Sequence, residues 1–212
     1  MLTLYALPAS AFCAKVRIVM RAKGLDWQEL PPPGGYKSAA YKDHVPSGNL
    51  PALIDDGFLI ADSEAIIEYL NEKYPQPPLL PQDLRARAVM RERGRFHDTR
   101  LEPQLRALFP HILPDRRDAD LNARQSAEIT ARLGQLAQML GTDDLGFGLG
   151  DVGYPATCAW IDALTPVLAL SIDWPGPVRA YLARLERVPA VAAEMPAYRA
   201  AIAGWFKANG LA

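Results

Sequence analysis

Cysteine is scarce in this 212-residue sequence, with only Cys13 and Cys158 present. They are far apart, and no C-x-x-C spacing exists, so neither a zinc ribbon nor a dithiol redox motif is expected. One pair cannot build a disulfide framework in a chain of this size, which points to a reducing, cytoplasmic setting. Histidine is also sparse. His44, His97 and His111 fall in no H-x-x-x-H or H-E-x-x-H spacing, and no metal is expected. A basic excess is missing: Lys+Arg is 23 against Asp+Glu 24, a formal net charge of −1. That argues against a nucleic-acid partner. There is no run of about 18 apolar residues, so no membrane span is expected. The opening MLTLYALPAS has no Lys or Arg ahead of an apolar core, so no signal peptide is expected either.

What is present is an ordinary globular composition, 50% hydrophobic and 22% charged. Its length fits one large domain or two small ones. The pattern changes character near residue 75. Before it, Leu2–Leu7 reads as a buried strand ended by Pro8. Ala11–Lys23 reads as a helix, opened by Ser10 and closed by Gly24. Trp27–Leu30 reads as a second strand, Pro31–Gly35 as loop and Ala39–His44 as one or two helical turns. Ala52–Asp55 and Phe58–Ala61 flank Asp56-Gly57, a strong hairpin signal. Asp62 then caps a helix running to about Lys73.

Pro75, Pro77, Pro78 and Pro81 form a linker, after which only helical patterns occur. The expected helices are Leu84–Phe109 with a kink at Pro103, Ala123–Leu140, Pro155–Leu170, Pro177–Arg187 and Ala197–Asn209. The order is βαβ, loop, ββα, then all-helical.

This order, with a proline before the third strand, resembles the cytosolic glutathione transferases over essentially the whole chain. Four local features carry the resemblance. Ser10–Arg17, SAFCAKVR, is similar to the S-x-x-C opening of helix 1 in the zeta and theta classes. Asn49-Leu50-Pro51-Ala52-Leu53 is similar to the family's V-P-x-L segment. Asp62–Leu70, DSEAIIEYL, is similar to E/Q-S-x-A-I-x-x-Y-L. Phe147–Asp151, FGLGD, is similar to the F-S-x-A-D capping segment, with Gly148 replacing the usual Ser or Thr and Asp151 retained. As an N-cap exchange that replacement costs only about a few tenths of a kcal/mol.

The resemblance implies an α/β thioredoxin-like domain, residues 1–75, and an all-α C-terminal helical domain, residues 82–212, that carries the electrophile site. It implies a homodimeric glutathione transferase acting in detoxification, with glutathione as co-substrate. A glutathione-dependent cis–trans isomerase and a non-catalytic ligand-binding or interaction protein on the same scaffold stand as alternatives. A thiol of ordinary pKa, about 8.5, is only roughly 3% ionised at pH 7. Lowering it by about two units needs about 2.7 kcal/mol of differential stabilisation. A hydroxyl donor at a helix N-terminus can supply that.

Ser10 is the expected catalytic hydroxyl, the plain alternative being a helix cap. Cys13, one turn along, is the rival nucleophile, with a buried core thiol as its plain reading. Phe12, Lys37, Leu50, Pro51, Asp62 and Ser63 are the expected glutathione-binding residues. A cis bond before Pro51 would present the Leu50 backbone to the peptide, against an ordinary trans proline. Ser63, at a helix start, would take the γ-glutamyl carboxylate, and Asp62 or Glu64 its ammonium, unless Asp62 is only a cap. Lys37 would take the glycyl carboxylate, or be a solvated lysine. Arg87, Arg91 and Arg95 share one helix face by their i, i+4, i+8 spacing. That face is either solvated or a positive edge on the electrophile cleft or the dimer groove, and His97, Arg100 and His111 are further residues that could point toward the cleft.

Overall fold

The computed structural model describes residues 1–141 and 145–211. Strand β1 (Leu2–Tyr5), helix α1 (Ala11–Ala22), β2 (Trp27–Leu30), the short α2 (Ala39–Lys42), β3 (Ala52–Asp55), β4 (Phe58–Ala61) and α3 (Ser63–Lys73) follow one another as expected. The strands form one mixed sheet in the order β2-β1-β3-β4. β1 is parallel to β2 and antiparallel to β3, with Leu4 opposite Leu53. The hairpin from β3 to β4 turns on Asp56 and Gly57, both at positive φ, as a tight two-residue turn demands. Helix α1 ends at Gly24, whose φ of +63° lets Leu25 N–H reach back to the Met20 carbonyl at 3.0 Å.

The helical half contains α4 (Leu84–Phe96), α5 (Glu102–Arg106), α6 (Ala119–Leu140), α7 (Tyr154–Leu168), α8 (Gly176–Leu185) and α9 (Pro189–Ala208). Three expectations need correction here. The single helix Leu84–Phe109 is instead α4 and α5 joined by a π-helical stretch, His97–Leu101. Pro103 has no N–H for the Thr99 carbonyl and crowds it, so the helix widens in the turn before the proline. The last helix starts at Pro189 rather than Ala197 and carries Pro196 inside it. The carbonyl that Pro196 leaves without a partner belongs to Ala192, which lies on the exposed side where water can bond it. Helix α6 also begins earlier than expected, because Asp118 caps it by accepting from Leu121 N at 2.8 Å.

The segment before α7 corrects the reading of Gly148. Asp151 is buried, and its carboxylate accepts from Gly148 N at 2.9 Å and Tyr181 OH at 2.5 Å, beside Arg93 at 3.0 Å. Burial raises this carboxyl, against the lowering pull of Arg93 and the Tyr181 and Gly148 hydrogen bonds. A Cβ on Gly148 would sit 2.5 Å from the Leu79 carbonyl oxygen. The glycine is therefore a steric requirement of the approach between this segment and the chain before α4. A cap exchange worth tenths of a kcal/mol does not describe it.

The two halves meet along α1. On α1, Arg17 Nε bonds Glu194 of α9 at 2.5 Å, and Arg21 Nε reaches the same carboxylate at 2.9 Å. Lys15, 1% exposed, is paired to Glu64 of α3 and, at 2.8 Å, to Asp98 of the π-helical stretch. Buried charges need such partners, and each is costly to strand alone.

Candidate functional site

A cleft of about 1360 Å³ opens between the two halves. One wall comes from the β1–α1 loop, the loops before β3, and the start of α3. The other comes from α4, α5, α7 and α9. Ser10, Phe12, Lys37, Leu50, Pro51, Asp62 and Ser63 all line it. Residues up to 53 positions apart in sequence are thus brought to one surface by the βαβ–ββα order.

Ser10 is the N-cap of α1, and its Oγ accepts from Cys13 N at 3.3 Å. That use of one lone pair leaves the hydroxyl proton free to be donated into the cleft. Capping and donation to a bound anion are therefore compatible. Cys13 is fully buried and does not line the cleft. Burial pushes its thiol above the ordinary value, against the lowering pull of Ser10. It is a core residue, which removes it as the rival nucleophile. Cys158 is also buried, and burial raises its thiol. Treatment of the native protein with iodoacetamide should leave both cysteines unmodified by mass spectrometry and conjugation unimpaired, because thiolate is the reactive form.

The Leu50–Pro51 bond is cis, and both residues are on the cleft wall. The loop before them is held by Tyr41, whose hydroxyl donates to the Asn49 carbonyl at 2.9 Å. Asp62 sits at φ +81°, and its carboxylate accepts from Glu64 N at 2.9 Å and Ala65 N at 3.1 Å. A non-glycine residue there costs about 1–3 kcal/mol, and such strain gathers where a side chain must be aimed. Ser63 follows directly, buried at the helix start and on the cleft wall. Glu64 does not line the cleft, because its carboxylate is committed to Lys15. Of the two carboxylates expected to meet an ammonium, only Asp62 is on the wall. Lys37 is exposed on the wall, with its ammonium 5.3 Å from the Tyr36 ring centre.

The arginine face divides. Arg87 is used by the Pro81 and Gln82 carbonyls at 3.0 and 3.1 Å, and Arg91 pairs with Glu68 at 2.8 Å. Neither lines the cleft, whereas Arg95 does. Arg100 and His111 are not on the wall. His97 is buried, bonded to Asp98 Oδ1 and Thr157 Oγ1, each at 2.7 Å. The far wall holds residues that the sequence reading did not select: Asp98, Glu102, Arg106, Phe109, Trp160 and Trp205. Positions 95, 98, 102 and 106 form a helical stripe that spacing alone displays, but spacing does not say which stripe faces the cleft. Arg106 is bound to Glu102 and lies 4.6 Å from the Phe109 ring centre and 5.8 Å from that of Phe12. Phe109, Trp160 and Trp205 stack edge-on at 4.9 and 5.5 Å, giving an apolar lobe beside the polar one.

Burial raises the Asp98 carboxyl, but the bond and charge of His97 and the Lys15 ammonium outweigh this and hold it well below the usual carboxylate range. Burial, with Asp98 nearby, leaves Glu64 raised in spite of Lys15. Among the described residues no group of three or more His, Cys, Asp or Glu side chains could hold a metal ion.

Comparison with known proteins decides the family of the α/β half, since residues 4–78 match the family described as glutathione S-transferase, N-terminal domain. Residues 4–78 form a glutathione S-transferase N-terminal domain. Glutathione S-transferase Z1 of Arabidopsis thaliana is 46% identical over 91 residues, 42% of this chain and 41% of that protein. Maleylacetoacetate isomerase of Pseudomonas aeruginosa is 46% identical over 97 residues, 43% of this chain and 45% of the isomerase. The chain thus aligns with about half the length, or less, of these curated relatives. Over more than nine-tenths of its length it has the glutathione transferase fold. Glutathione transferase F7 of Populus trichocarpa superposes with a TM-score of 0.79 at 19% identity, covering 93% of this chain and 99% of that one. A bacterial maleyl pyruvate isomerase of the zeta class superposes with a TM-score of 0.75 at 24% identity, covering 92% and 97%. Among the described residues no helix of this transferase fold is long and apolar enough to cross a membrane.

Proposed function

We propose that the chain is a glutathione transferase that ionises the glutathione thiol at Ser10 and adds the thiolate to an electrophilic carbon of a small molecule. The single observation that carries this is the convergence of Ser10, the Leu50–Pro51 segment and the Asp62–Ser63 helix start on one cleft with an apolar lobe opposite. The thiolate accepts from the Ser10 hydroxyl, and α1's N-terminal peptide dipoles favour its charge. The sulfur lone pair forms the C–S bond, and the leaving group departs with the displaced electron pair. Ser63 at the start of α3 holds the γ-glutamyl carboxylate, Asp62 its ammonium, the Leu50 backbone pairs with the cysteinyl unit, and Lys37 takes the glycyl carboxylate. Phe12, its ring centre 5.8 Å from the Arg106 guanidinium, is a further glutathione-binding residue. The proposed division is a glutathione-binding domain at residues 1–75 and a helical electrophile domain at 82–212.

The relative named maleylacetoacetate isomerase supports a second reading. In it the thiolate adds to a conjugated double bond, the new single bond rotates, and the thiolate leaves. Retention on immobilised glutathione with a chromogenic conjugation assay tests the first reading. Conversion of a cis-dienoic acid with only catalytic glutathione marks the second. Retention without either activity would mark a ligand-binding protein. We further propose a cytoplasmic homodimer with a detoxifying role. The free, buried cysteines and exposed Phe58, Leu84 and Val89 support the first two, and light scattering reads the dimer.

Two further outcomes are expected. Ser63→Ala should raise KM for glutathione while leaving kcat at saturation unchanged, because its carboxylate partner keeps the same charge throughout the reaction. A fall in saturated turnover with unchanged binding would contradict this. Arg95 and Arg106 should favour an electrophile carrying a carboxylate over its neutral analogue at low salt, since exposed charges are screened within about 8–10 Å at physiological ionic strength. Glutamine at both positions should erase that preference, and glutamine at Arg87 and Arg91 should not. Equal salt dependence for the two compounds would return all four arginines to a solvent role.

A further inference from the structure

The loop that carries Ser10 is held from the helical half, and the inference drawn from this rests on the transferase reading above. Trp160 of α7 donates its indole N–H to the Ala9 carbonyl at 2.9 Å. The same peptide unit is pinned on its other side, because Ser10 N–H bonds the Leu7 carbonyl at 3.1 Å. One residue earlier, Arg17 Nη2 donates to the Pro8 carbonyl at 3.0 Å. Arg17 is in turn fixed by Glu194 of α9 at 2.5 Å and Glu29 at 3.1 Å. Both Arg17 and Glu194 are buried, at 6% and 2% exposure.

A peptide plane with both its N–H and its C=O bonded cannot rotate, and that plane sets the Ser10 backbone. With the side chain held by the bond its Oγ accepts from Cys13 N at 3.3 Å, the placement of the Ser10 oxygen follows. We infer that Trp160 and the Glu194–Arg17 pair are positioning residues for Ser10, so that the helical half sets the aim of the hydroxyl that ionises the thiol. This differs from simple adhesion between the halves. The same residues could hold the halves together while leaving thiol ionisation untouched, whereas a charge-assisted hydrogen bond weakens steeply as its angle departs from linear.

The test measures ionisation directly on the full chain with glutathione bound and no electrophile, by the ultraviolet absorbance of the thiolate as pH is raised. Leaving out the electrophile matters because Trp160 also lines the apolar lobe. Trp160→Phe removes the donor and keeps a ring. It should raise the bound thiol's pKa by about one unit, a tenfold loss of thiolate below that pKa, while glutathione still binds. Glu194→Gln loosens Arg17 and should shift the value in the same direction by less. It carries the decision if Trp160→Phe does not fold. Leu164→Ala is the control: Leu164 is a core residue of α7 outside the cleft, and its loss should lower the melting temperature without moving the thiol. A wild-type thiol no more acidic than free glutathione would overturn the transferase reading, and this inference with it. An acidic wild-type thiol left unchanged in folded Trp160→Phe and Glu194→Gln would overturn the inference alone. An equal rise in Leu164→Ala would also overturn it, since general loosening would then explain the effect.

Discussion

Ser10→Ala should lower the rate of glutathione conjugation at least tenfold while glutathione still binds. The hydroxyl is the one polar group that the β1–α1 loop presents at the start of α1, and it lines the cleft. A hydrogen bond to a charged group is worth about 1.5–3 kcal/mol. Each 1.36 kcal/mol is about tenfold, so the loss spans roughly one to two decades. The substitution also removes the cap on Cys13 N, a stability cost of about 0.5–2 kcal/mol. That loss is separable, because it appears in the melting temperature and not in the pH dependence of the rate. The expected signature is a pH–rate profile displaced toward higher pH, with the rate recovering where the thiol ionises unaided. Ser10→Thr should retain much of the rate, since it keeps both the donor and the cap. Wild-type rates in Ser10→Ala at neutral pH would remove the hydroxyl from the mechanism.

The second large effect is on stability, far from the chemistry. A Cβ on Gly150 would lie 2.0 Å from the Met90 carbonyl oxygen, a backbone atom of α4. Nothing flexible can yield there, so α4 and the segment before α7 must move apart. Overpacking of this kind costs about 1–3 kcal/mol and occasionally more. For a chain of this size each kcal/mol is about 2–4 °C in melting temperature. Gly150→Ala should therefore melt about 2–12 °C lower by calorimetry. The contrast is Gly204→Ala in α9, where a Cβ meets nothing within 4 Å. That change should leave stability equal or slightly higher, because alanine is the better helix former by about 1 kcal/mol. Unchanged melting of Gly150→Ala would mean that α4 does not pack on this segment as closely as described.

The sequence by itself determined the local elements of the α/β half and its likeness to the glutathione S-transferase N-terminal domain. Ser10, Gly24, Asp56-Gly57 and Asp62 are signals read within a few residues, and each element they bound formed with at most small shifts. The α/β half follows from short-range rules of this kind, and its seven candidate site residues reach one cleft because the strand order brings their loops together. The helical half was less legible. Pro103 and Pro196 were both signals of disruption, yet one widened a helix before itself and the other was absorbed within a helix. The freed carbonyls, of Thr99 and Ala192, both belong to exposed residues, so local exposure does not separate the two outcomes and the packing around each helix decides. The direction of each helix face was likewise decided only by tertiary structure. Arg87, Arg91 and Arg95 are equivalent by spacing, but the first two are taken by the Pro81 and Gln82 carbonyls and by Glu68, and only the third reaches the cleft. Cys13 and Ser10 are both near the start of one helix, and burial alone separated a core thiol from a cleft hydroxyl. Trp160 lies 151 positions from the carbonyl it holds, and no local signal in the sequence joins the two. Spacing along a chain fixes neighbours on the same element, whereas contacts between elements are set by which faces the core buries, and the helical wall of the cleft is made almost wholly of the second kind.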